Sequence, residues 1–341
     1  MKSLFLPEPS HKAADGKTAV LLINLGSPEA ATAESVRPYL SKFLSDQRVV
    51  ELPKYIWQPV LRGFVLPFRP KESAHGYRQI WLQDGSPLLV YTQKQAELLS
   101  ARLPDNIIVR YAMSYSAPFV ADVMAELKNE GVSQLLVVPL YPQYAASSSG
   151  AALDKVFSVM LKQRNMMSLR TVRSFHNHPA YIEALREQVA SYWKEHGRND
   201  KLLLSFHGIP QLHDDFGDPY PEECRETARL LAEALGIGEN DYIVAFQSQF
   251  GKAKWVGPST QDLLDSLPKQ GIETLDLMCP AFVSDCLETM EEIAIAGREQ
   301  FHEAGGRRFH YIPCLNDNAS WIAALETICR EHLGSWADEI R

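Results

Sequence analysis

The chain has 341 residues, more than the roughly 250–300 at which a single hydrophobic core stops growing, so two domains are expected. Its 42 acidic residues outnumber its 34 basic ones, and the net charge of −8 gives no general basic field for a phosphate backbone, which excludes nucleic acid from the expected partners. With 45% hydrophobic and 22% charged residues, the composition is that of a globular protein suited to small-molecule chemistry.

The N-terminal stretch MKSLFLPEPSHKAADGK offers only Leu4, Phe5 and Leu6 before Pro7, shorter than the apolar core of a signal peptide. No later run approaches the roughly 20 apolar residues of a spanning helix, so a cytoplasmic location is expected. Four short apolar runs follow at 19–24, 107–112, 134–139 and 169–174, each closed by Gly, Pro or small polar residues. Four more lie at 201–206, 242–247, 273–278 and 308–313, with helical periodicity in 178–195, 221–236 and 317–332. Strands separated by helices form parallel sheets. The expected fold class is α/β, with two similar doubly wound, Rossmann-like domains. Each would be a four-stranded parallel sheet flanked by helices, and the active-site cleft would lie between them. Residues 1–175 would form an N-terminal α/β domain. Residues 176–341 would form a C-terminal one carrying His207 and Glu288, with a final helix able to pack back on the first domain.

Between the first two strands, residues 51–71 (ELPKYIWQPVLRGFVLPFRPK) contain Tyr55, Ile56, Trp57, Val60, Leu61, Phe64, Val65, Leu66 and Phe68, more apolar surface than a connection requires. Prolines are expected to break its helical continuity, and Arg62, Arg69 and Lys71 punctuate it. Core packing accounts for the pattern, and so does an apolar lip that meets a large flat ligand or a membrane surface.

Functional residues of doubly wound sheets sit past the carboxyl ends of strands, where LGSP (25–28), YPQYAASSSG (141–150), SFHG (205–208) and FQSQFG (246–251) fall. His207 ends an apolar run and is held by a Gly-x-Pro turn; there a neutral imidazole can ligate a divalent metal or accept a proton. After the run at 273–278, CPAFVSDCLETMEEI opens a helix expected to carry Asp285, Glu288 and Glu292 on one face, with Glu299 further along. The stripe reads either as a solvated acidic face or as an interior ladder passing protons or a hydrated cation. Trp255, beside Gln247, Ser248 and Thr260, either caps a core or stacks on a conjugated ring, as does Tyr144. Gly26 and Gly150 are weak signals for an anion at a helix start, and there is no G-x-G-x-x-G and no P-loop. The cysteines Cys224, Cys279, Cys286, Cys314 and Cys329 are odd in number and include no C-x-x-C pair, so neither a disulfide framework nor a zinc knuckle nor a cysteine-ligated cluster is expected.

Taken in order, LLINLGSP, YRQIWLQDGSPL (77–88), PLYPQYAASSSG, LLLSFHGIP, FQSQFGKAKWVGPST and CPAFVSDCLETMEEI resemble the ferrochelatase family from about residue 18 to 330, with wording similar to the proteobacterial type. The resemblance implies a chelatase-type fold and a lyase of haem biosynthesis that inserts Fe²⁺ into protoporphyrin IX, giving protohaem and two protons without consuming a nucleotide. It implies that His207 and Glu288 are the pair that handles the metal and the pyrrole protons; the acidic stripe itself makes Asp285 and Glu292 the expected proton or metal relay. The resemblance also implies porphyrin contacts at Tyr77, Ser86, Tyr115, Tyr144 and Trp255, and more approximately at Arg69. No permanently bound cofactor is implied, Fe²⁺ being a substrate. The cysteine-rich extension that holds an iron–sulfur cluster in some members has no counterpart, so no cluster is expected.

Three departures bear on these roles. Ser114 stands where many relatives have arginine, Cys286 where some have histidine, and Ala296 where a further acid is found. Alternatives are an iron chelatase for coproporphyrin, a cobalt or nickel chelatase for a sirohydrochlorin-type ring, and a non-catalytic tetrapyrrole or metal carrier. The mainly apolar lip favours a ring with few carboxylates, and it also makes peripheral membrane contact an expectation.

Overall fold

A computed structural model describes Phe5 and residues 16–251 and 253–337. Leu4, Leu6 and Lys252 lie outside the described residues. Each apolar run expected as a strand forms one. The strands are β1 (Lys17–Asn24), β2 (Ile107–Met113), β3 (Val132–Pro139), β4 (Ser168–Thr171), β5 (Lys201–His207), β6 (Tyr242–Gln247), β7 (Thr274–Met278) and β8 (Arg308–Tyr311). They form two parallel sheets, ordered β2-β1-β3-β4 and β6-β5-β7-β8.

The chain divides into two compact units. One gathers the segments up to Leu140, Ala146–Ser174 and the residues from Leu325; the other gathers Tyr141–Ala145 and Phe175–Ala324. In the first, the central strand β1 buries Ala19 to Ile23 completely. Helices cover both faces of a parallel sheet, which is why this strand reads as an unbroken apolar run rather than an alternation. The outer strand β4 is shorter than its run: Val172 still bonds Val137, and the chain then leaves the sheet.

The segment 51–71 departs from expectation. It is helical from Lys54 to Val60, makes a wide π turn over Leu61–Val65 and continues as an α-helix over Leu66–Ile80. Pro53 caps the first piece, and Pro67 follows Leu66, whose amide bonds back to Leu61 O in the wide turn. Pro59 and Pro70 both lie inside helical pieces, so the prolines do not end the helix as expected. Leu61 and Leu66 face the core, whereas Tyr55 is 80% exposed, Phe64 73% and Phe68 72%.

In the second unit β5 lies between β6 and β7: the chain passes from β5 to β6 on one side and then crosses to β7 on the other, the strand order at whose carboxyl ends doubly wound sheets bind ligands. His207 is its last residue. Against one face pack Leu203, Leu264, Leu275, Leu277, Ile293 and the ring of Phe301. One charge is buried within this sheet. Asp276, fully buried in β7, accepts from Trp193 Nε1 at 2.7 Å and from the Asn199 main-chain and side-chain amides at 2.9 and 2.8 Å, with His310 Nδ1 at 3.2 Å. A buried carboxylate is tolerable only with such partners. Asp276→Ala strands these donors and is expected to cost about 3 kcal/mol, read as a lower urea midpoint by circular dichroism. An unchanged midpoint would show that Asp276 does not hold this sheet together.

Candidate active site

In the second unit the site is built around the end of β5. His207 Nδ1 lies 2.7 Å from the Gly208 carbonyl oxygen. A carbonyl only accepts, so Nδ1 carries the proton and the lone pair sits on Nε2, the form that binds a metal or takes a proton. The turn is tied down next to the ring: Gly208 N donates to the Gln247 carbonyl at 2.8 Å, Val256 N to Ile209 O at 3.0 Å and Gln211 N to Lys254 O at 2.9 Å. A Cβ on Gly208 would come within 2.8 Å of the Gln247 carbonyl and 3.1 Å of the Trp255 ring, so the close approach requires glycine. This lacing sets Trp255 beside Pro210, with its indole donating to Phe250 O at 2.9 Å and its ring 4.9 Å from that of Phe250.

The acidic segment does not form the single-faced helix expected of it. Cys286 caps a single turn, Leu287–Thr289, which runs into a π-helical stretch, Met290–Gly297, and then an α-helix, Arg298–Glu303. Asp285 therefore precedes the helix. Its buried carboxylate accepts from Asn316 Nδ2 at 2.6 Å, Thr289 Oγ1 at 3.0 Å and Tyr311 OH, and its amide donates to Asn316 Oδ1 at 2.8 Å. Glu292 is half-buried. It accepts from Ser248 N at 2.8 Å, Ser248 Oγ at 2.5 Å and Gln261 Nε2 at 2.7 Å, holding Ser248 in the left-handed region at φ 61°. Glu299 is exposed, because wider turns shift the register along the segment.

Glu288, half-buried, sits on the capped turn. The Cys286 thiol hydrogen-bonds its side chain, and Tyr141 lies near both. Burial, then the Glu288 charge, pushes the Cys286 thiol well up, and burial likewise raises the Tyr141 phenol, so both stay protonated next to a carboxylate. Gln247 joins the two halves of this site. It pairs in register with His207, and its Nε2 donates to the Glu288 carbonyl at 2.7 Å. Sequence reasoning named Gln247 without giving it a role, and the structure makes it the last residue of β6. Its signal was its position, a polar residue ending the strand next to the one that ends in His207. Tyr144, from the same unit, donates its amide to Glu223 at 2.7 Å.

The first unit holds the remaining sequence-predicted residues at the ends of β1 and β2 and on nearby helices. Ser86 caps the helix Pro87–Ser100, accepts from Leu89 N at 3.4 Å and hydrogen-bonds Ser27. Gly26 at φ 103° brings the chain against Ser116, whose hydroxyl accepts from Ser27 N at 3.2 Å. Tyr77 is buried edge-on to Trp81, and Arg69 is exposed near Phe68 on the same helix. Tyr115 lies just past the end of β2. Only 3% exposed, it donates its hydroxyl to Asp46 at 2.9 Å and lies under the Lys155 ammonium at 4.3 Å, so ring and hydroxyl are both engaged in the core. Ser114 is buried there as well, with no guanidinium in its place.

The family model for ferrochelatase matches residues 17–333. A curated ferrochelatase of Neisseria gonorrhoeae is 62% identical over 333 residues, 97% of this chain and 99% of that protein. One of Nitrosomonas europaea is 49% identical over 338 residues, covering 98% and 93%. Among solved structures, the sirohydrochlorin chelatase SirB of Bacillus subtilis subspecies spizizenii in complex with cobalt is similar in fold. It covers 95% of this chain and 98% of its own at a TM-score of 0.57 and 11% identity.

The five cysteines are buried and free, and burial holds those of the site as thiols above their ordinary range. The folded protein near pH 8 is accordingly expected to resist a thiol reagent such as dithionitrobenzoate, and to release five equivalents once unfolded. A fast equivalent in the folded state would mean that one of them is a thiolate.

Proposed function

The chain belongs to the ferrochelatase family, and on that premise we propose that it inserts Fe²⁺ into protoporphyrin IX, with His207 and Glu288 as the residues that receive the metal and the pyrrole protons. The observation that supports this reading is that His207 and Glu288 hang on one residue. Gln247 pairs with the first in register and bonds the main chain of the second. The Nε2 lone pair of His207 is directed away from its own loop carbonyl and is free for an incoming proton or cation.

Insertion replaces two pyrrole protons by one Fe²⁺. The ring loses two N–H bonds and gains metal–nitrogen bonds, and the protons pass to acceptors on the protein. His207 Nε2 takes one, and the Glu288 carboxylate provides the second acceptor and a hard oxygen for the metal. An in-plane nitrogen cannot reach a metal above the ring, so the macrocycle is bent on binding, a distortion worth about 1–5 kcal/mol drawn from contacts elsewhere on the substrate. In the second unit Trp255 offers the aromatic surface for such a contact. In the first unit Ser86 and Arg69 are candidates for a propionate, and Tyr77 acts from the core. Asp285 and Glu292, whose carboxylates are filled by protein donors, act as the frame of the site rather than as a relay.

Coproporphyrin, with more carboxylates, calls for more basic partners than the apolar segment 51–71 supplies. The exposed Tyr55, Ile56, Val60, Phe64 and Phe68 suit a poorly soluble dicarboxylate ring delivered from a membrane surface, and we place the enzyme in the cytoplasm with peripheral lipid contact through this segment. No helix among the described residues is long and apolar enough to cross a membrane.

Anaerobic absorbance assays with protoporphyrin and coproporphyrin test the reading, and protoporphyrin is expected to turn over faster. His207→Ala should abolish insertion while porphyrin affinity stays within about threefold, because packing supplies that affinity. Glu288→Gln should depress kcat by about a hundredfold and Glu299→Gln should leave it unchanged. Normal turnover by the His207 variant, or equal effects of the two glutamate variants, would remove this pair from the chemistry.

A further inference from the structure

Gln247 is fully buried, yet it carries more polar contacts than any core packing role requires. Its Oε1 accepts from Ser205 Oγ at 2.7 Å and faces the Cys279 thiol at 3.4 Å. Its Nε2 donates to the Glu288 carbonyl at 2.7 Å and lies 3.5 Å from the Glu292 carboxylate. Two donors on one side and two acceptors on the other admit a single orientation of the amide. The order propagates outward: since Ser205 gives its only proton to Gln247, the bond of 2.7 Å between Ser205 and Thr260 must run from Thr260 to Ser205. The main chain of the same residue accepts from Gly208 N at 2.8 Å, beside His207.

Resting on the reading of His207 and Glu288 as the reacting pair, we propose that Gln247 is the positioning residue that fixes their spacing. Its main chain holds the His207 turn and its side chain holds the Glu288 turn. The side chain is needed because the segment after Cys286 is one short turn followed by a π stretch, which leaves the Glu288 carbonyl to be satisfied from outside. Glutamine is the neutral side chain of this length that both donates and accepts. A carboxylate in its place donates nothing when ionised and repels Glu292, whereas a protonated carboxyl restores the donor to Glu288 and the acceptor for Ser205.

The test uses the full chain with protoporphyrin and Fe²⁺ under anaerobic conditions. Gln247→Leu is expected to lower kcat by about tenfold to a hundredfold, the effect of misplacing a reacting group by about 1 Å, with KM for porphyrin within about threefold of wild type. Gln247→Glu, measured as a ratio to wild type at each pH, is expected to be poor at about pH 8 and to recover towards about pH 6 as the new carboxyl takes up its proton. A purely structural role would not tie turnover to the ionisation of that group. Turnover by Gln247→Leu within about twofold of wild type overturns the proposal, as does a Gln247→Glu ratio that is flat with pH. If Gln247→Leu fails to fold, the pH ratio of Gln247→Glu decides alone. An inactive wild-type protein would sink the chelatase reading and this inference with it, while an active wild type with unaffected variants sinks only the positioning role.

Discussion

The hydrogen bond between His207 Nδ1 and the Gly208 carbonyl, 2.7 Å long, is the constraint on which the rest of the site depends. It spends the proton of the inner nitrogen on the chain itself and turns the other nitrogen's lone pair outward. The bond exists because the peptide after His207 is clamped. Gly208 donates backwards to β6, and its missing side chain lets the Gln247 carbonyl and the Trp255 ring close over it. Clamp and ring both sit at the carboxyl end of β5, which has β6 on one side and β7 on the other, the place in a doubly wound sheet where ligands bind.

The three carboxylates after β7 behave differently because their surroundings do. Asp285 and Glu292 each face several donors, which fix the side chain in place. In doing so they hold the ends of the segment, Asp285 through Tyr311 and Asn316 and Glu292 through Ser248 and Gln261. Glu288 lies between these anchors with the Cys286 thiol, a weak donor, beside it. Rigid neighbours around one less constrained group are the arrangement expected of a site whose reacting atoms must be placed to within a fraction of an ångström.

The eight strands, their parallel pairing and the terminal position of His207 were legible in the sequence, because buried parallel strands leave continuous apolar runs and the Gly-x-Pro after His207 marks a turn. The acidic helix was legible only as a sequence of carboxylates. Its stripe assumed 3.6 residues per turn throughout, whereas Met290–Gly297 follows a π register, which has no signature in a single sequence. The same limit applies to 51–71, where a π turn forms over Leu61–Val65 and Pro59 and Pro70 lie inside helical pieces that prolines were expected to break. Tyr115 shows the same limit at long range: its hydroxyl donates to Asp46, 69 residues earlier, a pairing that no local pattern announces. Gln247 was visible as a residue and invisible as a hub, since its partners Ser205, Cys279, Glu288 and Glu292 come from three other segments.

The direct measurement is the ¹⁵N NMR spectrum of the His207 imidazole in the intact protein, at a pH where the ring is neutral. The account predicts a protonated, pyrrole-type Nδ1 and an unprotonated, pyridine-type Nε2, with the Nε2 signal moving when a divalent cation is added. A proton found on Nε2, with the lone pair on Nδ1, would contradict it.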